Sequence, residues 1–311
     1  MTPDNTCDIV IAGGGIAGLT AGLAAARAGR KTRVLTGPAL GGHLLSIERI
    51  DGYPGFPDGI PGYDLCPMIQ EQAAAAGADC SAAQATGLGA HDGLWRVRTG
   101  EGDVFARAVV IATGTTMKQL GVPGEVRLRG KGVSHCASCD GPLLRARRVG
   151  VVGGGDSALQ EALTLAQHAA QVIVLHRGRT FSAQAVYSAL VRANPKIEIR
   201  FDTTVEEIVG DDAMASVRTR TGVGSQVDLE LAALFVYVGL APSTAWLNGA
   251  LDLDPSGWIP TDGAMRTRQP GLFAAGTVRC GSAGRAAAAA GEGATAAVAA
   301  DLYLKGDAWQ S

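Results

Sequence analysis

The stretch Asp8-Ile9-Val10-Ile11-Ala12-Gly13-Gly14-Gly15-Ile16-Ala17-Gly18 decides the fold of this chain. Its first five residues read as a short apolar β-strand that the glycines end. A helix from Leu19 to Ala28 and a strand at Thr32–Leu35 are predicted to follow. A G-x-G-x-x-G loop is weak evidence by itself, but between a strand and a helix it is typical of a turn that cradles the pyrophosphate of a dinucleotide.

The residues of this loop have separate tasks in such a turn. Gly13 makes the tight turn, Gly15 lets the backbone approach a pyrophosphate, and Gly18 lets the helix pack closely on the sheet. Ile16 and Ala17 belong to the helix N-terminus, whose N–H groups and positive dipole end favour a phosphate. The alternative interpretation is a glycine-rich turn that binds nothing.

The same pattern recurs in the middle of the chain. Arg148–Val152 is predicted as a strand, Asp156–Gln167 as a helix and Gln171–Leu175 as the next strand. The residues of this second loop that we expect at a pyrophosphate are Gly153, Gly155, Asp156, Ser157 and Ala158. Either Asp156 or Ser157 is expected to cap the helix.

Three further segments indicate how the two loops are organised into domains. Val109–Gly114 leaves the first domain, Gly239–Pro242 leaves the second, and Gly271–Gly276 is an apolar strand that returns to the first. The predicted fold class is therefore α/β, with two Rossmann-like dinucleotide-binding domains, the second inserted in the first. The first domain is expected to comprise residues 1–116 and 246–311, and the second residues 117–245.

Composition and charge exclude several classes of function. The 311 residues carry a formal net charge of −2 without a block of like charge, so nucleic-acid binding has no electrostatic support. The first residues lack the pattern of a signal peptide, and charged residues and glycines break the apolar stretch from Ala283 onward. We expect a cytoplasmic protein that does not span a membrane.

Six cysteines are scattered along the chain, and only Cys136 and Cys139 form a close pair. In a reducing compartment a Cys-x-x-Cys pair is typical of a catalytic or metal site. Zinc would need a second pair of ligands, which the sequence does not offer, so no metal is expected. A purely structural disulfide is a further alternative. The other four cysteines lie on or beside apolar runs and are expected to be buried.

The spacing of the pair suits disulfide chemistry. Cysteines at positions i and i+3 at the start of a helix lie on one face, close enough to form a disulfide. The helix N-terminus favours one thiolate, and Asp140 is placed to carry the proton of the second thiol. Two dinucleotide sites and a dithiol together describe a path for electrons.

The motifs of the whole chain, in their order and spacing, strongly resemble those of the low-molecular-weight thioredoxin reductases. The matching stretches are Gly13–Gly18, Gly41–Leu44, Asp51–Phe56, Ala112–Gly114, Cys136–Gly141, Gly153–Ala158 with Glu161-Ala162, and Gly271–Gly276 with Ala290-Gly291. The resemblance implies a homodimer that binds FAD in the discontinuous domain and NADPH in the inserted one. It implies as substrate a thioredoxin-like protein or a small-molecule disulfide or dithiol.

The resemblance also implies roles for single residues. Cys139 would face the flavin and form its charge-transfer partner, and Cys136 would attack the substrate disulfide. The residues that would line the flavin site beside the first glycine loop are Gly42, His43, Thr113, Gly114, Gly276, Thr277, Arg285 and Ala286. Arg177 and Arg179 would lie at the adenosine ribose of the nicotinamide nucleotide.

Several positions depart from the family pattern. Thr277 replaces an aspartate that holds the ribityl chain of FAD, and His43, Gly52 and Ala286 replace three further flavin contacts. Together these changes indicate an altered flavin environment. For His43 and His135 the alternative is an ordinary solvated or packed histidine.

The nucleotide side departs as well, in His176-Arg177-Gly178-Arg179-Thr180-Phe181-Ser182. Of three arginines in the family signature only Arg177 remains, and Gly178 and Ser182 stand at the other positions, with Arg179 as a candidate substitute. The alternative is that both arginines are solvated surface charges. No acid ends the preceding strand, so an NAD-type ribose clamp is not visible either, and the choice between NADPH and NADH stays open.

Four functions remain to be weighed. The first is an FAD enzyme that uses NADPH or NADH to reduce a disulfide. The second is a flavin dithiol oxidase that passes electrons to oxygen, and the third is a ferredoxin-fed disulfide reductase with a vestigial nicotinamide site. A non-enzymatic flavin sensor is the least favoured, because a reactive Cys-x-x-Cys-Asp would be redundant in it.

Overall fold

The computed structural model describes residues 5–224, 226–307 and 309. The chain forms two compact units, the first running to Thr116 and resuming at Ala241, the second comprising Met117–Leu240. The α/β class predicted from the sequence is confirmed. The sequence predicts the return to the first unit at residue 246, and the structure has it at residue 241. Residues 1–4, which entered the expectation about a signal peptide, lie outside the described residues.

The first unit is built on a mainly parallel sheet whose first strand contains the apolar stretch at Asp8–Ala12. Its strands before the insertion are β1 (Thr6–Ala12), β2 (Thr32–Leu35), β3 (Asp79–Ser81), β4 (Ala85–His91), β5 (Leu94–Thr99) and β6 (Gly102–Ile111). They form a sheet in the order β3-β2-β1-β6-β5-β4, in which β1, β2, β3 and β6 are parallel and β4 and β5 antiparallel.

The helices of this unit are α1 (Ile16–Arg27) and α2 (Gly62–Ala75), with a 3₁₀ helix at Gly42–Ser46. Two short strands, β7 (Thr115–Met117) and β16 (Leu240–Pro242), lie where the chain leaves and returns, and they pair. After the return, β17 (Leu272–Ala274) adds to β6 in parallel, and α6 (Ala286–Lys305) follows.

The central strands of the first unit are buried on both faces, as parallel strands require. Ile9 and Ile11 of β1 pack on one face with α1, α2 and α6, whereas Val10 and Ala12 pack on the other. The apolar run of the sequence is therefore a strand whose alternate side chains fill two cores.

Helix α1 begins at Ile16, one turn earlier than predicted, because the end of the glycine loop is itself helical. A Cβ atom on Gly18 would lie 1.9 Å from the carbonyl oxygen of Gly13. Only hydrogen at this position lets the first turn of α1 lie against the turn that leaves β1.

The second unit contains a five-stranded parallel sheet in the order β11-β10-β9-β15-β8. Its strands are β8 (Val133–Ser134), β9 (Arg148–Val152), β10 (Gln171–Leu175), β11 (Ile197–Arg200) and β15 (Ala233–Val236). Its helices are α3 (Ala137–Asp140), α4 (Asp156–His168) and α5 (Ala185–Ala193), with a 3₁₀ helix at Gly141–Leu144. The predicted strands at β9 and β10 agree with the structure, and the predicted helix ends one residue short of α4.

Helices cover one face of this sheet, and an antiparallel sheet covers the other. The latter consists of β12 (Thr203–Gly210), β13 (Met214–Thr221) and β14 (Gln226–Glu230). Leu159 and Leu165 of α4 pack with Val149 and Val151 on the helical face, and Val217 of β13 lies in the opposite core. Both faces are therefore apolar.

No helix within residues 5–224 and 226–307 combines the length and the apolar character that crossing a membrane requires.

Two glycines of α6 give a direct test of how tightly the first unit is packed. A Cβ atom on Gly293 would lie 2.1 Å from the carbonyl oxygen of Ala17, whereas one on Gly291 would meet nothing within 4 Å. We expect Gly293→Ala to lower the free energy of unfolding by about 1–3 kcal/mol, the usual effect of overpacking. Gly291→Ala should instead be neutral or raise it by up to about 1 kcal/mol, because alanine favours helix.

Chemical denaturation followed by circular dichroism measures both variants against the parent protein. Equal stability of the two variants would contradict the contact between α6 and α1.

Candidate functional site

Cys136 and Cys139 form a disulfide, with a Cα–Cα distance of 5.4 Å. Cys136 precedes α3 as its N-cap, and its Sγ accepts the backbone N–H of Cys139 at 3.3 Å. The hydroxyl of Ser134 accepts the N–H of Cys136 at 3.1 Å. The expected helix after the pair is short: α3 ends at Asp140 and continues as a 3₁₀ turn.

Two side chains of the second unit, one acidic and one phenolic, lie next to the redox turn, and sequence analysis assigns no role to either. Glu161 of α4 accepts the backbone N–H of Ala137, the residue after Cys136, at 3.0 Å. Tyr237, directly after β15, is buried, and burial together with the negative charges of Glu161 and Asp140 raises the pKa of its phenol. Glu161 was part of a motif, but only the fold brings it to this backbone amide.

His135 precedes the pair and is partly buried. Burial and the nearby Arg129 guanidinium lower the pKa of its imidazole, against the opposing effect of Glu125. Its Nε2 atom is buried and has no hydrogen-bond partner in the part of the chain that the structure describes. A neutral, packed imidazole accounts for these observations.

In the first glycine loop, Gly13 packs tightly against protein, whereas Gly15 faces open space. A Cβ atom on Gly13, where φ is +121°, would lie 2.2 Å from the carbonyl oxygen of Ala112. On Gly15 it would meet nothing within 4 Å, and no side chain caps the N-terminus of α1 that follows. The loop is thus closed against the sheet and open at Gly15, as a pyrophosphate cradle requires.

Other predicted residues of the first unit converge on this loop. A Cβ atom on Gly42 would lie 3.6 Å from the Cα of Gly15, and one on Gly276 would lie 2.9 Å from the Cβ of Ala17. Likewise, a Cβ atom on Gly114 would lie 3.6 Å from the hydroxyl oxygen of Thr277. The fold therefore gathers three separate segments of sequence near the start of α1.

Four further predicted residues lie elsewhere in the first unit, and each has its own surroundings. The hydroxyl of Thr113 donates to the carbonyl of Ser243 at 2.8 Å. His43 is an exposed residue of the 3₁₀ helix, although surrounding protein lowers the pKa of its imidazole by desolvation. Arg285 is the exposed N-cap of α6, and Ala286 is the first residue of that helix. Their roles toward a flavin stay predictions.

Glu292 is a residue of this region that the sequence did not reveal. Its carboxylate accepts the N–H of Gly276 at 2.7 Å and pairs with Arg279 at 3.1 Å, and both side chains are largely buried. An acid in an alanine-rich helix was the available signal. Glu292 fixes the turn after β17 rather than offering itself to a ligand.

The second glycine loop resembles the first. Gly155 is the N-cap of α4, and a Cβ atom on it would have only the hydroxyl of Ser182 within 4 Å, at 3.8 Å. The expectation that Asp156 or Ser157 caps α4 is wrong, because the helix has no side-chain cap. Asp156 instead accepts the backbone N–H of Gln184 at 2.7 Å and its side-chain amide at 2.8 Å.

The turn after β10 shows what replaced the missing arginines. The N–H and hydroxyl of Ser182 both donate to the carbonyl of Gly154, at 2.9 and 3.2 Å, so this residue supports the loop. Arg179 lies 3.5 Å from the carboxylate of Asp202, and its side chain is 87% exposed. Arg177 is exposed and has no ion pair within the described residues. Arg177 is therefore the cation of this turn whose charge stays uncompensated.

The remaining cysteines differ in burial. Cys7 and Cys66 are buried, as expected, and burial raises the pKa of the Cys66 thiol to about 11. Cys80 and Cys280 are only partly buried, so that expectation is wrong for them. The thiol of Cys280 donates to the carboxylate of Asp254 at 3.3 Å, which explains its position near the surface. All four are free thiols.

Comparisons with known proteins agree with this geometry. The model of the pyridine nucleotide-disulphide oxidoreductase family matches residues 7–294. A thioredoxin reductase from Treponema pallidum is 38% identical over 298 residues, which cover 96% of this chain and 97% of that protein.

Solved structures of two thioredoxin reductases have the same fold. The enzyme from Lactococcus lactis superposes with a TM-score of 0.94 at 34% identity, covering 96% of this chain and 99% of its own. That from T. acidophilum gives 0.92 at 31% identity, covering 98% and 100%. With its Cys136–Cys139 disulfide, this chain belongs to the pyridine nucleotide-disulphide oxidoreductase family and is a thioredoxin reductase-like disulfide oxidoreductase.

Proposed function

We propose that the chain passes electrons from NADPH or NADH through FAD to the Cys136–Cys139 pair, and from there to a thioredoxin-like protein or a small-molecule disulfide. The observation that carries this proposal is the disulfide itself, closed in a chain with two uncapped strand–glycine–helix turns. FAD, when bound, supplies the two-electron transfer between the nicotinamide and the disulfide.

The first unit fits FAD at the loop that is open at Gly15. Backbone amides of Ile16 and Ala17 at the uncapped start of α1 suit its pyrophosphate. Gly114 and Thr277 are adjacent and lie on segments where the family pattern has flavin contacts. A threonine hydroxyl keeps a hydrogen bond but loses the charge that an aspartate would bring.

The second unit fits a nicotinamide nucleotide in the same way. The N-terminus of α4 beyond Gly155 is free of a side-chain cap and suits a pyrophosphate. Arg177, with its uncompensated charge, is the candidate for the adenosine ribose or its phosphate. Arg179 is a weaker candidate because Asp202 partly neutralises it.

The dithiol performs thiol–disulfide exchange. The thiolate of Cys136 attacks one sulfur of the substrate disulfide, forms a mixed disulfide and releases the first substrate thiolate. Cys139 then attacks the sulfur of Cys136, which releases the second substrate thiolate and restores the Cys136–Cys139 disulfide. Each leaving thiolate takes one proton, and Asp140 lies next to Cys139 to hold one of them. Cys139 is more exposed than Cys136, so the order of attack rests on the family pattern.

The substrate, the oligomeric state and the cellular compartment that we propose follow from the same resemblance. Relatives across the whole length are named thioredoxin reductases, which supports a thioredoxin-like protein as substrate. The homodimer is proposed from the family pattern alone. Four of the cysteines are free thiols, which suits the reducing cytoplasm.

Anaerobic mixing of the FAD-loaded protein with NADPH or NADH tests the proposed donor. We expect the flavin absorbance to bleach and thiols to appear at Cys136 and Cys139. Bleaching by a substrate dithiol and recovery with oxygen, without any bleaching by nicotinamide, would support the dithiol oxidase instead. Bleaching by reduced ferredoxin alone would support the ferredoxin-fed reductase.

The two cysteines are tested by substitution in the same protein. Cys136→Ser and Cys139→Ser should each abolish reduction of thioredoxin, while bleaching of the flavin by nicotinamide persists. Cys80→Ser serves as the control, since this thiol is free and takes no part. Retained thioredoxin reduction in either variant of the pair would contradict its role.

The open position at Gly15 predicts a variant that folds but binds FAD poorly. Gly15→Ala adds a methyl group that meets no protein atom within 4 Å, so the free energy of unfolding of the apoprotein should stay within about 0.5 kcal/mol. Its affinity for FAD, measured by calorimetry, should fall at least roughly tenfold. Gly89→Ala, in β4, also meets no atom and should leave FAD affinity unchanged. Normal FAD affinity in Gly15→Ala would place the flavin elsewhere.

The arginine turn predicts weak discrimination between nucleotides. A charge-assisted phosphate contact is worth roughly 1.5–3 kcal/mol, so the loss of two lowers the NADPH preference by about two to four powers of ten. We expect the NADPH/NADH ratio of kcat/KM to be below about a hundredfold. Arg177→Ala should remove most of what remains, and Arg179→Ala should change it little. Strong NADPH preference that only Arg179→Ala abolishes would show that Arg179 replaced the lost arginines.

A further inference from the structure

A carboxylate from a different helix, α4, anchors the backbone of the redox turn. The Glu161 carboxylate of α4 accepts the N–H of Ala137 at 3.0 Å, and Ala137 is completely buried between the two cysteines. Two other hydrogen bonds already shape the turn, one from the N–H of Cys136 to Ser134 and one from the N–H of Cys139 to the Sγ of Cys136. Thiol–disulfide exchange does not need a third anchor for shape, so we looked for an effect of the carboxylate's charge.

The backbone amides of the turn are divided between sulfur and carboxylate. The N–H of Cys139 points to the Sγ of Cys136 at 3.3 Å, where it would stabilise a thiolate. The N–H of Ala137 is taken by Glu161 instead. Because the Ala137 N–H donates to Glu161, it does not donate to the sulfur of Cys136, and the carboxylate adds a negative charge near that sulfur.

Tyr237 adds a third group to this arrangement. Its hydroxyl oxygen is buried and has no hydrogen-bond partner within the described residues. Burial, and after it the charge of Glu161, raise the pKa of the phenol, which keeps it protonated. The dipole of a protonated hydroxyl orients toward a nearby negative charge and weakens the field that reaches other groups.

We propose that Glu161 is a positioning residue that opposes the thiolate of the reduced Cys136–Cys139 pair and thereby makes this dithiol a stronger reductant, with Tyr237 moderating the effect. The proposal assumes only the redox role of the pair and not the identity of the electron donor.

The charge of Glu161 affects the oxidised and the reduced pair differently. Reduction adds two electrons to the disulfide, and the sulfurs take up two protons as two thiols, or one as a thiol and a thiolate. A neighbouring negative charge raises the free energy of the thiolate and leaves the disulfide unchanged. It therefore stabilises the oxidised pair, and its effect grows as the pH rises through the thiol pKa.

Other titratable groups also face the turn. Asp140 lies in α3, and His135 directly precedes Cys136. His168 of α4 approaches from below, since a Cβ atom on Gly141 would lie 3.2 Å from its ring. These groups are the same in every variant below, so differences between variants report on Glu161 and Tyr237 alone.

The test uses Glu161→Gln in the full chain, because glutamine keeps an oxygen acceptor for Ala137 and removes the charge. The protein is equilibrated anaerobically in glutathione buffers, in which two glutathione molecules reduce the pair and become glutathione disulfide. Thiols are then trapped, and the peptide of Cys136 and Cys139 is measured by mass spectrometry. The pH profile of alkylation of the reduced protein gives the thiol pKa.

We expect Glu161→Gln to lower the pKa of the more acidic thiol by about one unit. Above that pKa the equilibrium should shift toward the dithiol by roughly tenfold, or about 30 mV for two electrons, and the shift should vanish at low pH. Glu230→Gln, the same change on the exposed strand β14, should have neither effect.

Tyr237→Phe supplies an independent variant. Removal of the hydroxyl exposes the sulfur to more of the field of Glu161, so the thiol pKa should rise, and this rise should disappear when Glu161 is glutamine. An unchanged thiol pKa in Glu161→Gln, or a shift of the equilibrium that is the same at every pH, would overturn the proposal. Neither readout involves a nicotinamide nucleotide, so failure of the proposed donor would leave this result intact.

Discussion

The structure depends on close contacts between glycines and backbone carbonyl groups, at positions where a larger residue would not fit. In the first unit, Cβ atoms on Gly13, Gly18 and Gly293 would each lie within 2.2 Å of a carbonyl oxygen of Ala112, Gly13 or Ala17. These contacts place the start of α1 against β1, β6 and α6 together. Because they leave no space for rearrangement, they fix where the N-terminal amides of α1 point, and Gly15 is left facing open space.

The second unit uses the same constraint and connects it to the redox turn. A Cβ atom on Gly153 would lie 2.3 Å from the carbonyl oxygen of Tyr237, whose N–H donates to Val152 at 2.8 Å. The side chain of the same tyrosine packs in the apolar core that contains Ala137, where burial and the charge of Glu161 raise the pKa of its phenol. One residue thus supports the nucleotide loop with its backbone and the disulfide turn with its side chain, which ties the geometry of both to the end of β15.

Local patterns predicted much of this from the sequence. A strand, a glycine turn and a helix are contiguous, so β9, β10 and most of α4 could be assigned, as could the pairing of Cys136 with Cys139 at a spacing of three. The predictions were wrong where a tertiary contact overrode a local preference. Asp156 has the right chemistry for a cap, but Gln184, distant in sequence, takes its carboxylate. Cys280 follows an apolar run, yet Asp254 holds its thiol near the surface.

Residues that act through the backbone of another segment leave almost no trace in a sequence. Glu161 and Glu292 are each an acid within a helix, where a solvated charge is the ordinary interpretation. Glu292 accepts the N–H of Gly276, and Glu161 that of Ala137, so both hold a turn that the sequence marks as functional. Glu292 pairs with Arg279 and serves the shape of the turn after β17. Glu161 holds the N–H of the residue that follows Cys136, so the charge of its carboxylate acts on a disulfide that must become a dithiol, and this position argues for an electrostatic task.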